Sequence, residues 1–146
     1  MTACTFFGHR EQYALDRALL RRTIEDLIAQ GVTTFYVGHQ GSFDRTVFGV
    51  LLELEKKFPH ISISVVLAYL PTKKQQVSPY EGYSMYPEGI EVGLPRFAID
   101  RRNTWMIDRA DVCVCGIDRT SGNAYAFATQ AKKKGLRVVN VGEAEI

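Results

Sequence analysis

The sequence predicts an α/β fold: one domain over residues 1–146, with a parallel five-stranded sheet and helices on both faces. Three observations carry this. Apolar runs of strand length alternate with stretches of helical periodicity from one end of the chain to the other. Connections between consecutive strand-like runs are long enough for helices, which is what parallel neighbours require. One connection, Leu70–Leu94, is far longer than the rest and marks the point where the chain returns across the sheet. With right-handed crossovers these give strand order 3-2-1-4-5 and a switch point between the first and fourth strands.

Ala3–Phe7 is the first strand. A helix follows near Tyr13–Gln30, with Leu20, Ile24, Leu27 and Ile28 on one face and Gly31 past its end. Val32–Val37 is the second strand. Val47, Leu51, Leu54 and Phe58 repeat at helical spacing over Asp44–Phe58, and Pro59 stops that helix. Ile61–Tyr69 is the third strand. After the long irregular segment, Pro95 suits the first turn of a helix because its missing N–H would be unpaired there anyway. Ile99, Asn103, Met106 and Ala110 form that helix's inward stripe, with Arg102 bordering it and Arg101 facing solvent. Asp111–Gly116 is the fourth strand, Gly122–Lys134 a helix capped by Ser121, and Arg137–Val141 the fifth strand.

Bulk properties narrow the function. At 146 residues the chain can bury one sizeable core. A net charge of +2 and the absence of a basic stripe argue against nucleic acid. No apolar run approaches the ~20 residues of a membrane span, and the N-terminus shows no signal-peptide pattern. Cys4, Cys113 and Cys115 read as buried thiols, which together suggests a cytoplasmic protein. No set of ligands stands at a recognisable metal spacing, so no metal or other cofactor is expected.

In an open α/β sheet, ligands bind where the loops after the switch-point strands part. The first strand ends in Gly8-His9-Arg10, where glycine permits a tight turn and Arg10 suits phosphate or carboxylate. The second ends in Gly38-His39-Gln40-Gly41-Ser42-Phe43-Asp44, a Gly-rich approach to a helix with neither dinucleotide-fold nor Walker spacing. Asp44 is read as an N-cap or as a partner for a ribose hydroxyl. His9 and His39 are expected on neighbouring strands. Arg102 and Asn103 reach the crevice from their helix start. Gly116, Thr120, Ser121, Gly122 and Asn123 close it, with free N–H groups favouring an anion. In the long segment, Tyr80, Tyr83 and Tyr86 either stack on a base or cover a small core of their own. Trp105 packs against that segment or in a subunit contact, so a homodimer stays open.

The combination FFGHR, FYVGHQGSFD, LAYLP, FAIDRRNTWM and SGNAYA, spanning nearly the whole chain, resembles the YpsA-like branch of the SLOG superfamily. These are Rossmann-like domains related to the LOG phosphoribohydrolases and the DprA/Smf proteins. The resemblance implies a nucleotide or an ADP-ribose-like ligand in the crevice. The hydrolases' MHxRKxxM motif maps onto Ile99–Met106 and places the functional arginine at Arg102. Their PGGxGTxxE motif ends on Gly122–Ala126, where Asn123 replaces threonine and Ala126 replaces the catalytic glutamate. Cleavage of an N-glycosidic bond needs a carboxylate to stabilise the oxocarbenium-like centre. Its loss implies a sensor or accessory protein that binds without turnover. The alternative is an N-glycosidase or deoxyribosyltransferase-like enzyme whose acid has moved to Asp44, Glu88 or Glu91.

Overall fold

The computed structural model describes residues 2–11, 15–69, 80, 82–89 and 93–146. The elements in order are β1 (Ala3–Gly8), α1 (Arg17–Ala29), β2 (Thr34–Val37), α2 (Ser42–Lys57), β3 (Ser62–Val66), β4 (Ser84–Met85), a 3-10 turn (Pro95–Phe97), α3 (Ala98–Arg109), β5 (Val112–Gly116), α4 (Asn123–Lys133) and β6 (Arg137–Asn140). The sheet runs β4-β3-β2-β1-β5-β6, and every pairing is parallel. This is a Rossmann-like three-layer fold. The five strands expected from sequence stand in the order 3-2-1-4-5. A sixth, the two-residue β4, extends the edge beside β3 from within the stretch read as irregular.

The layers follow from strand alternation. On β1 and β5, Cys4, Phe6, Val112 and Val114 face one core with α1 and α2. Phe7, Cys113 and Cys115 face the other, with Met106 and Ile107 of α3 and Phe127, Ala128 and Ala131 of α4. Strands buried on both faces read as continuous apolar runs, as parallel sheets require. Asp111, expected to open its strand, instead lies just before it. Its carboxylate accepts the Thr2 and Ala3 N–H groups at 3.0 and 3.1 Å, and those bonds hold it below the usual carboxylate range.

Helix starts differ from expectation: α2 opens at Ser42 instead of Asp44, and the turn at Pro95 is 3-10, with α3 opening at Ala98. α1 begins at Arg17 because the Asp16 side chain accepts the Leu19 N–H at 3.0 Å and caps it there; Tyr13 lies outside the described residues. α4 is not capped by Ser121. Its N-cap is Gly122 at φ +92°, a conformation that favours glycine, and Ser121 is exposed. Among the described residues no helix is long and apolar enough to cross a membrane.

Candidate functional site

Gly8 and Gly116 end β1 and β5 as register partners at the switch point. The fully buried Phe43 ring lies across both. A Cβ on Gly8 would stand 2.0 Å from Phe43 Cγ, and one on Gly116 2.5 Å from Phe43 Cε1. The paired glycines thus make room for the ring, and the three residues pack as one unit beneath the switch point. Gly41 has a similar role at the mouth of α2. Its φ is +95°, and a Cβ there would meet Arg10 Cα at 2.5 Å. The Arg10 carbonyl accepts the Ser42 N–H and hydroxyl at 2.7 and 2.9 Å, which ties the loop after β1 to the start of α2.

Beside this junction opens a cleft of about 460 Å³. Gly8, His9, Arg10, Gly38, Asp44, Arg102, Asn103, Gly122 and Asn123 all line it, as sequence reasoning placed them. Phe43 and Gly116 lie under it instead, and Gly41, Thr120 and Ser121 do not line it. Glu88 lines a separate hollow beside Trp105, and Glu91 lies outside the described residues. Tyr80 and Tyr83 pack edge-on against Phe48 of α2, at 4.9 and 5.5 Å between ring centres, and not in the cleft. Trp105 meets the Tyr36 ring edge-on at 5.4 Å, and the Arg109 guanidinium stacks on it.

Arg102 is not at the border of the α3 stripe but inside it, 3% exposed. The helix buries Ala98, Arg102, Asn103, Met106 and Ile107, while Ala110 ends it half-buried. What permits a buried guanidinium is a set of neutral acceptors. Nε donates to Asn103 Oδ1 at 2.7 Å, Nη1 to the Val66 carbonyl at 3.0 Å and Nη2 to Gln40 Oε1 at 2.7 Å. A guanidinium has five N–H donors, so two remain unclaimed among the described residues. Burial pulls its pKa down, and the charge of Asp44 opposes that.

Asp44 stands across Gly38 from Arg102. A Cβ on Gly38 would lie 2.8 Å from Arg102 Nη1 and 2.9 Å from Asp44 Oδ2. Asp44 is no N-cap: Gly41 holds that position, and the carboxylate reaches back to the Gln40 N–H at 3.0 Å. Burial pushes its carboxyl up to about 6, against the pull of Arg102 and that N–H. The folded protein therefore holds this proton more tightly than the unfolded chain. The contribution is fully present below the unfolded value of 3.8 and is lost as pH rises through about 6. Between those limits Asp44 should withdraw roughly 3 kcal/mol of stability. Urea unfolding at several pH values checks this: the stability of wild type relative to Asp44→Asn should fall as pH rises through the window. Parallel profiles would refute it.

The histidines do not sit side by side in one hydrogen-bonded group. His39 Nε2 lies 3.3 Å from Gln40 Nε2. Because Gln40 Oε1 accepts from Arg102, its amide NH₂ is the donor, so His39 Nε2 accepts. Burial, aided by Arg102, lowers His39 to about 4, which agrees with a neutral ring. His9 Nε2 accepts the Asp118 N–H at 3.3 Å, and its pKa is lowered by burial and by Arg119. The Asp118 carboxylate lies 3.1 Å from that nitrogen and becomes a partner when Nε2 carries a proton. Among the described residues no cluster of side chains fits a metal ion.

Sequence reasoning missed Gln40, Arg96, Asp100 and Arg119 on the cleft wall. Gln40, a polar residue between Gly38 and Gly41, had the one readable signal. At the far side, α4 has no side-chain cap, and Asn123 Nδ2 donates to Asp100 Oδ1 at 3.4 Å. The cleft thus joins a buried guanidinium with spare donors, an uncapped helix start and three more arginines. No family model matches the chain, and no curated protein matches it.

Proposed function

We propose that the cleft binds a nucleotide or nucleotide-derived ligand through its phosphate, and that the protein is a cytoplasmic sensor or accessory protein of the SLOG type. Buried Arg102 carries this reading. An arginine held by three neutral acceptors, with two donors left beside an open cleft, is built to receive an anion. The uncapped start of α4 adds backbone N–H groups and the positive end of a helix dipole. A volume of about 460 Å³ falls within the range of small-molecule sites.

Binding without turnover is favoured by Ala126, which is exposed on α4 and does not line the cleft. One observation supports the enzyme reading: of Asp44, Glu88 and Glu91, Asp44 lines the cleft and is a carboxyl raised by burial. A single experiment addresses both. Thermal unfolding is followed with AMP, ADP and ADP-ribose, and the same mixtures are then chromatographed. Some member should stabilise the protein, by ~2.7 kcal/mol at one hundred times its dissociation constant, and be recovered intact. No stabilisation at millimolar concentration counts against nucleotide binding. Base released above the no-protein control and lost in Asp44→Asn would establish the enzyme.

A further inference from the structure

We propose that the cleft takes up an anion and a proton together: an anion seated on Arg102 drives the Asp44 carboxylate into its protonated form. This rests on the anion-binding reading of the cleft and adds its regulation by pH.

Several groups around the cleft can accept a proton. Two histidines lie close by: His39 Nε2 is engaged as an acceptor, whereas the Asp118 carboxylate 3.1 Å from His9 Nε2 would partner the protonated His9 ring. His39 is fixed at the end of a directed chain, Arg102 to Gln40 to His39, in which each group donates to the next. Protonating His39 Nε2 would set two donors against each other and break that chain. His9 Nε2 accepts the Asp118 N–H. Asp100, the other carboxylate on the cleft wall, accepts from Asn123 of α4. Asp44 differs from Asp100 in being buried, and it accepts one backbone N–H on Oδ2, from Gln40, with lone pairs left to take a proton.

The groups that act on Asp44 are Arg102 from α3, Arg10 from the loop after β1, Arg45 from its own helix, the Gln40 N–H, and Tyr80. His39 lies within reach of the same Arg102 charge. Arg102 and Asp44 flank one missing Cβ at Gly38, yet they form no direct ion pair: three guanidinium N–H groups go to neutral acceptors and none to the Asp44 carboxylate. Asp44 therefore depends on the field of Arg102 and not on a bond to it. An anion at the two spare N–H groups would cancel that field and add a like charge. A buried carboxylate so treated binds a proton. Once protonated, it gains an O–H that can donate to the anion. Linkage makes the coupling reciprocal: a deprotonated Asp44 weakens anion binding by the same factor.

Sulfate is the probe, because it stays a dianion across the window, so any proton uptake belongs to the protein. The Asp44 carboxyl ¹³C resonance, identified by its absence in Asp44→Asn, is titrated in sodium sulfate and in sodium chloride of equal ionic strength. In chloride its midpoint should fall near 6. In sulfate it should rise by about one unit or more, and sulfate affinity should be about tenfold weaker on the alkaline side of the window. Asp44→Asn should bind sulfate with no such pH dependence, while Asp100→Asn, His39→Gln and His9→Gln should keep it. An unmoved Asp44 midpoint, or pH dependence that survives in Asp44→Asn, overturns the proposal. Nucleotide stabilisation with an unmoved midpoint would leave the binding reading standing alone. A moved midpoint with no nucleotide stabilisation would leave the proton coupling standing alone.

Discussion

Arg102→Ala should cost the cleft roughly 1.5–3 kcal/mol of affinity for a phosphate-bearing ligand, the range for hydrogen bonds to charged groups. Arg101→Ala should change affinity by less than about 0.5 kcal/mol, since that side chain donates outward to the Leu94 carbonyl at 2.8 Å. The substitution also strips donors from Val66 O, Gln40 Oε1 and Asn103 Oδ1 and leaves Asp44 buried without its counter-charge. Stability should therefore fall as well, and affinity must be read below the variant's melting temperature. Arg102→Lys separates the two roles. It keeps the charge opposite Asp44 but loses the planar fork, so it should recover more stability than affinity. Calorimetric titration with the ligand found by thermal shift decides the matter. Equal affinities for wild type and Arg102→Ala would remove the arginine from the site.

Gly8→Ala should be strongly destabilising. Its Cβ would stand 2.0 Å from Cγ of a ring that is fully buried, and neither strand nor ring has room to yield. Overpacking usually costs about 1–3 kcal/mol, and this contact belongs at the upper end, a drop of about 10 °C in melting temperature. Shrinking the ring should give part of that back. Gly8→Ala with Phe43→Leu should be more stable than the sum of the two single changes by at least about 1 kcal/mol. Gly49→Ala gives the contrast. Its Cβ meets nothing closer than Arg17 Nη2 at 3.9 Å, so the residue should gain helix propensity and stabilise the protein by about 0.5–1 kcal/mol. Additive behaviour of Gly8→Ala and Phe43→Leu would refute the packing account.

Much of the frame was legible because a parallel sheet leaves a plain trace. Val112, Cys113, Val114 and Cys115 are buried on alternate faces of one strand, so the sequence shows a continuous apolar run. The crossover at Leu70–Leu94 announced itself by length. The edge strand Ser84–Met85 left no trace, since two residues cannot display a period of two. The misreadings at the cleft share one cause, which is partners distant in sequence. Arg102 looked like the polar border of a helix because its acceptors Val66 and Gln40 lie 36 and 62 residues away. Phe43 looked like a ligand contact between Gly41 and Asp44. Only the pairing of Gly8 with Gly116 reveals that its ring packs beneath the strand ends. Ser121 had the right side chain to cap a helix, but the backbone at the next residue turns through a positive φ and makes Gly122 the cap.

The three thiols give the molecule a clock of its own. Cys4, Cys113 and Cys115 are free and fully covered, on the neighbouring interior strands β1 and β5. Burial raises Cys4, and a hydrogen bond with Cys115 together with burial raises Cys113, so these two thiols hold little thiolate while the sheet is closed. An aromatic disulfide reagent can reach them only when the central sheet opens. The rate of colour release, compared with that of the unfolded chain, then reports how often those strands part under native conditions. A ligand in the cleft above Gly8 and Gly116 would slow that release without touching a single sulfur.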